Sequence, residues 1–158
     1  MDDKPLNNTD EQACDKALCD DKSSTSCMCD TLRTAGMRPT KQRVALGELL
    51  FKSGDRHVCA EILHEEALAH NIPVSLATVY NTLNQFRDAG FLREVALVGT
   101  RVYFDTNMSD HQHFYVENSG DLLDIPGGPI ELEKLPEAPE GMEIAGVDVV
   151  VRLRPSKG

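Results

Sequence analysis

Apolar positions between residues 40 and 95 recur at helical spacing, and they predict three helices in succession. Thr40 can cap a helix over Lys41–Lys52, with Val44, Gly47, Leu50 and Phe51 along one stripe and Gly54 closing it. A second helix is predicted from near Cys59 to about Ala69, burying Ile62, Leu63 and Ala67, with Pro73 enforcing the break. A third starts from Ser75 as cap and ends before Gly90. Its apolar side carries Leu76, Val79, Leu83 and Phe86. Its opposite side carries Thr78, Tyr80, Asn81, Asn84, Gln85 and Arg87. A solvated helix face is usually rich in Glu and Lys, whereas amides, hydroxyls and a Tyr suit the reading of base edges and phosphates in a major groove.

After the third helix the period changes to two. Residues Leu92–Leu97 and Arg101–Asp105 alternate about a Val98–Gly99–Thr100 turn, which predicts a β-hairpin. Three helices and a hairpin form a winged-helix pattern, although a helical domain with an unrelated hairpin would give the same one. Short strands are predicted at His113–Glu117 and Leu122–Ile125, around a turn at residues 118–121. A helical turn is predicted at Ile130–Leu135 and a strand over Met142–Leu153. About fifty residues of this kind do not readily close a private core, which implies pairing with a second copy. The fold class is therefore α+β: a winged-helix DNA-binding domain over residues 31–106, then a small α/β dimerisation and sensing domain over 107–158. Residues 1–30, rich in Asp, Ser and Asn, read as an acidic, disordered tail holding Cys14, Cys19, Cys27 and Cys29.

Composition sharpens this picture. Of 158 residues, 41% are hydrophobic but only 5% aromatic, with no Trp, so the core is aliphatic. No apolar run is long enough to span a bilayer and the N-terminus lacks an apolar signal region, so a cytoplasmic protein is expected. The net charge of −10 is uneven: −5 over residues 1–30, +2 over 31–93 and −7 over 94–158. A DNA footprint needs only a local basic face, and the middle segment offers one. An activated-nucleophile motif, a phosphate-cradling Gly loop and a cofactor fingerprint are all lacking, so an enzyme is not expected. The tail spacing C-x4-C-x7-C-x-C is not that of a zinc ribbon; a soft metal or haem-thiolate site and simple exposed thiols both remain open.

His111-Gln112-His113 falls where the hairpin meets the second module, with Asp105, Asp110, Glu117 and Asp124 nearby and His57 before the second helix. A His/carboxylate site at the junction would suit Fe(II), Mn(II) or Zn(II). A surface His pair on an acidic loop is the alternative.

Three segments resemble the Fur (ferric uptake regulator) family: Ala35–Arg43 (AGMRPTKQR), His57–Leu63 (HVCAEIL) and Ser75–Gly90 (SLATVYNTLNQFRDAG). The resemblance covers roughly residues 31–125 and implies a homodimeric regulator of transcription that binds double-stranded DNA at an inverted repeat. It implies an inter-domain metal site at His57, Asp105, His111, His113 and Asp124. It places Tyr80 against bases, Lys41 and Arg43 near the phosphate backbone and Arg101 on the wing; the polar side of the third helix is read as offering Thr78 and Asn81 to bases as well, with Arg87 and Arg101 at phosphates. The family's Cys pairs are missing: Val116 and Ser119 occupy the first pair's positions, so no structural zinc held by four cysteines is expected. A second regulatory site would fall on Asp110 and Gln112, and Gln is a poor ligand. This pattern looks like the iron response regulator (Irr) branch, which implies haem binding at His111 and His113 and activity when iron is scarce. A metal-dependent Fe or Mn repressor and a peroxide sensor are the alternatives within the family.

Overall fold

A computed structural model describes residues 27–95, 97, 101–127 and 134–156. Four helices come first: α1 (Met28–Thr34), α2 (Lys41–Phe51), α3 (Ala60–Ala69) and α4 (Leu76–Asp88), with strand β1 (His57–Val58) between α2 and α3. Strands β2 (Arg93–Val95), β3 (Tyr103–Asp105), β4 (His113–Val116), β5 (Asp121–Asp124) and β6 (Val150–Leu153) follow. They form two three-stranded sheets, ordered β1-β3-β2 and β5-β4-β6. Apart from β1, the helices precede the strands along the chain, which makes the fold α+β.

The expected caps are present. The Thr40 hydroxyl accepts from the Arg43 N–H, and the Ser75 hydroxyl accepts from the Thr78 N–H. Each satisfies one of the donors that a helix start leaves unpaired. The helices enclose an aliphatic core of Leu32, Leu46, Leu50, Leu63, Val79, Leu83 and Phe86, closed by Val58, Leu92 and Phe104 from the first sheet. Among the described residues no helix is long and apolar enough to cross a membrane.

Several expectations are corrected. The predicted tail boundary at residue 30 falls inside α1, where Cys29 and Leu32 are buried. Cys29 therefore joins Cys59 as a buried thiol and is not a solvent-exposed one. The reason α1 docks lies in α2: a Cβ at Gly47 would sit 2.8 Å from Met28 Sδ, so the glycine lets the two helices approach closely. On α4, Leu76 is 37% exposed and Thr82 is buried, so the core stripe is rotated to Val79, Thr82, Leu83 and Phe86. On α3, Ile62 is 38% exposed, whereas Leu46 of α2, outside the predicted stripe, is fully buried.

The predicted hairpin is part of a larger sheet: β1 pairs antiparallel with β3 on the edge away from β2. Its turn, residues 98–100, lies outside the described residues, as do residues 130–133 of the predicted helical turn. The predicted strand over Met142–Leu153 shortens to Val150–Leu153, which runs parallel to β4. Strand β4 is four residues long, and four residues of the alternating run pair with it as a strand. The two sheets meet through Cys59, Val95, Tyr103 and Leu122, packed with Tyr115 and Val150. The Tyr103 hydroxyl donates to the Gly120 carbonyl across this seam at 2.6 Å.

Candidate metal centre and helix face

Strand register builds a polar cluster from two cross-strand pairs. In the first sheet His57 of β1 lies directly opposite Asp105 of β3. In the second sheet His113 of β4 lies directly opposite Asp124 of β5. The two pairs face each other, and His111 from the linker completes the group. One donor atom from each of these five residues can be chosen so that all lie within 4.8 Å of one another. Nε2 of His111 is 2.9 Å from Asp105 Oδ2 and 3.1 Å from Asp124 Oδ1. Nε2 of His57 is 3.0 Å from Asp124 Oδ1, and Nε2 of His113 is 3.2 Å from Asp105 Oδ2.

His111 and His113 are two residues apart, a spacing that puts side chains on one face of extended chain. His113 is the first residue of β4, and His111 precedes it in irregular chain. Their centroids lie 4.6 Å apart. The His111 Nδ1–H donates to the Ser109 carbonyl at 2.9 Å, which leaves Nε2 as the lone-pair nitrogen facing the carboxylates. Asp110 and Glu117 stand outside the group, and Glu117 pairs with Arg152.

Electrostatics suit a cation here. Burial pushes the Asp105 carboxyl up, but the adjacent His57 ring and the hydrogen bonds from the Asn107 N–H and His113 outweigh it and hold the group at about 2. Burial lowers the His113 pKa, against the pull of Asp105, so this imidazole favours its neutral, ligating form. The buried Nε2 atoms of His57 and His111 approach carboxylate oxygens closely yet have no hydrogen-bond partner. Buried polar atoms are rarely orphaned. Three imidazole nitrogens and two carboxylates converging in this way fit one divalent ion with nitrogen and oxygen preferences.

Sequence reasoning passed over Arg93. Strand register places it opposite Asp105, on the side away from His57. Its Nε lies 3.3 Å from Asp105 Oδ2. It also passed over Glu61, whose carboxylate accepts from the Tyr80 hydroxyl at 2.6 Å. That hydrogen bond is the main cause lowering the Glu61 pKa and raising that of Tyr80. Both were legible only as charged residues next to recognised positions.

The residues expected at DNA are spread over α2, α4 and the segment just before β3. Lys41 and Asn81 are exposed, Thr78 and Tyr80 half-buried, and Arg101 exposed. Two of the expected phosphate ligands are engaged within the protein. Arg43 donates to the Arg38 carbonyl and to Gln85 Oε1. Arg87 pairs with Glu94 at 2.6 Å and with Asp88 at 3.0 Å.

Comparison with known proteins matches the model of the "Ferric uptake regulator family" to residues 34–152. The chain is 32% identical over 101 residues to the ferric uptake regulation protein of Bordetella parapertussis, covering 63% of this chain and 73% of that one. It is 35% identical over 107 residues to the peroxide-responsive repressor PerR of Staphylococcus aureus, covering 66% and 71%. Among solved structures it superposes on the ferric uptake regulator of Pseudomonas aeruginosa with manganese at a TM-score of 0.59. That match has 24% identity and covers 80% of this chain and 96% of that one.

Proposed function

The chain belongs to the ferric uptake regulator family, and on that premise we propose that it is a homodimeric, metal-responsive regulator of transcription. In this reading residues 31–106 form a winged-helix DNA-binding domain and residues 107–158 a dimerisation and sensing domain. The observation that carries it is the meeting of two cross-strand His–Asp pairs, one from each sheet. A divalent ion held there would neutralise the two carboxylates and tie the sheets together. His57 and Asp105 fix the site to the helical module, and His113 and Asp124 fix it to the second sheet. His111, aimed by the Ser109 carbonyl, closes the site from the linker. A ligand changes DNA affinity only if it binds two arrangements of the molecule unequally, and a site spanning two modules meets that condition.

The DNA-facing surface is α4, with Thr78, Tyr80 and Asn81 offered to bases. Lys41 and Arg101 hold phosphates directly. Arg43 and Arg87 reach phosphates by exchanging their partners Gln85 and Glu94. A dimer presents two such helices about 34 Å apart, one turn of duplex, so the operator is an inverted repeat.

Haem, which the Irr resemblance implies, would need His111 or His113. Their side chains are 9% and 4% exposed and face the carboxylates, so haem ligation would withdraw them from the cluster and open the junction. Fe(II), Mn(II) and Zn(II) need no such opening, and the metal-responsive reading is preferred on that ground.

The test is to select duplexes from a random-sequence pool with the full chain. Affinity is then measured while Mn(II), Zn(II) and haem are titrated separately, with absorbance spectra recorded alongside. The reading predicts an inverted repeat bound with metal-dependent affinity, and loss of that dependence in His57→Ala. Indifference to both metals would overturn it. Should haem release the DNA, and should His111→Ala with His113→Ala lessen that release, the haem-responsive form of the proposal would take its place.

A further inference from the structure

Resting on the metal centre read above, we infer that Arg93 is the positioning residue that seats His111 in it. One guanidinium makes three connections. Its Nε lies 3.3 Å from Asp105 Oδ2, its Nη1 donates to the Ser109 carbonyl at 3.3 Å, and its Nη2 donates to the His111 carbonyl at 2.9 Å. Register fixes where this fork starts, because Arg93 stands directly opposite Asp105 on β3. His57, Asp105 and Arg93 thus form one row across three strands, with Asp105 shared by both neighbours.

The linker is held at its ends by backbone hydrogen bonds, from the Thr106 N–H to the Arg56 carbonyl and from the Ile125 N–H to the Gln112 carbonyl; between them it has no strand pairing, and side-chain contacts such as those of Arg93 shape it. Residues Ser109 and His111 are the two that matter for the ring. Ser109 supplies the carbonyl that fixes the His111 tautomer, and His111 supplies the ligand. Arg93 holds both carbonyls while gripping the carboxylate that His111 must meet. A guanidinium does this because its donors lie in one rigid plane; a lysine ammonium at the same place is a point charge and cannot span two carbonyls and a carboxylate. Side chains that orient first ligands in this way commonly change metal affinity 10- to 100-fold when replaced.

The test compares Arg93→Lys, which keeps the charge, with the wild-type chain. Mn(II) affinity is measured by calorimetry, and amide exchange at residues 107–112 is followed in the metal-free protein. We expect an approximately 10-fold loss of affinity, faster exchange in the linker, and an unchanged melting temperature without metal. In a His111→Ala background the same replacement should have no further effect on Mn(II) affinity, because the residue it seats is gone. Equal losses in both backgrounds, or wild-type affinity in Arg93→Lys, would overturn the role. So would a loss of affinity that merely tracks a lowered melting temperature. If Arg93→Lys does not fold, Arg93→Gln is carried through the same pair of backgrounds. Failure of the wild-type chain to bind Mn(II) would instead remove the metal centre itself, which separates the two readings.

Discussion

The helical core and the polar cluster between the sheets are built from opposite materials. The core closes on Leu32, Leu46, Leu50, Leu63, Leu83 and Phe86, each with no more than 1% exposure. The junction buries Asp105, Gln112 and His113 and brings three imidazoles against two carboxylates. Apolar burial is stabilising in itself and asks nothing of a ligand. A buried cluster of charge is costly unless it is paired. The first region therefore folds on its own terms, whereas the second has affinity left over for a cation. A sensor needs both: a scaffold indifferent to the signal and a seam that responds to it.

The largest effect should come from breaking the indifferent region. Leu83→Ala removes a fully buried side chain from the centre of the helices and should lower stability by about 2–5 kcal/mol, measured by urea unfolding. Mn(II) affinity of the remaining folded protein should be unchanged. A marked loss of metal binding in the folded variant would show that the two regions are not separable.

The next effect addresses the seam. Asp105→Asn removes the buried carboxylate, whose Oδ2 lies 2.9 Å from His111, 3.2 Å from His113 and 3.6 Å from His57. Metal affinity should fall at least about 100-fold, above the usual cost of replacing an orienting neighbour. Thermal melting of the metal-free protein should change far less than in Leu83→Ala.

A smaller change is expected at the DNA face. Tyr80→Ala should reduce affinity for the selected inverted repeat by about 1–3 kcal/mol, a typical value for one base-reading side chain, and affect unrelated duplexes less. Equal losses on both would count against base reading.

The smallest effect is the pH profile of the metal-free protein, and its sign is fixed. The His113 pKa is lowered in the fold, so on acidification below about 6.5 the unfolded chain takes up its proton first, and stability falls. Asp105 is held at about 2 against an ordinary 3.8, so its contribution is complete above 3.8 and is lost as pH falls to about 2. Bound metal should steepen the upper part of this profile, because a ligating His113 stays unprotonated in the fold while the unfolded chain takes up its proton. A metal-free protein whose stability rises on acidification from pH 7 to 4 would contradict the assignment.

Much of the scaffold was legible because its signals are local. Thr40 and Ser75 announce helix starts by chemistry that acts over three residues, and the turn at 118–121 joins two strands at close range. The docking of α1 was illegible because its cause is a glycine on another helix, at Gly47. The length of β6 was illegible because it is set by its partner β4, not by its own alternation. The i, i+2 spacing of His111 and His113 allows the two to share a face, but spacing could not bring His57, Asp105 and Asp124 beside them. The five-residue set came from family resemblance, and the physical reason for it, two cross-strand pairs in facing sheets, exists only in three dimensions. Arg93 was missed for the same reason: its importance is a register, not a motif.

The most direct measurement is the Mn(II) binding isotherm of the full chain by electron paramagnetic resonance, with one variant on each sheet. Mn(II) favours nitrogen and oxygen over thiolate ligands, so the cysteines near the N-terminus do not intrude. A single ion shared between the sheets predicts one high-affinity Mn(II) per chain, lost alike in His57→Ala and in Asp124→Asn. Binding that survives intact in either variant would mean that the two pairs do not hold a common ion.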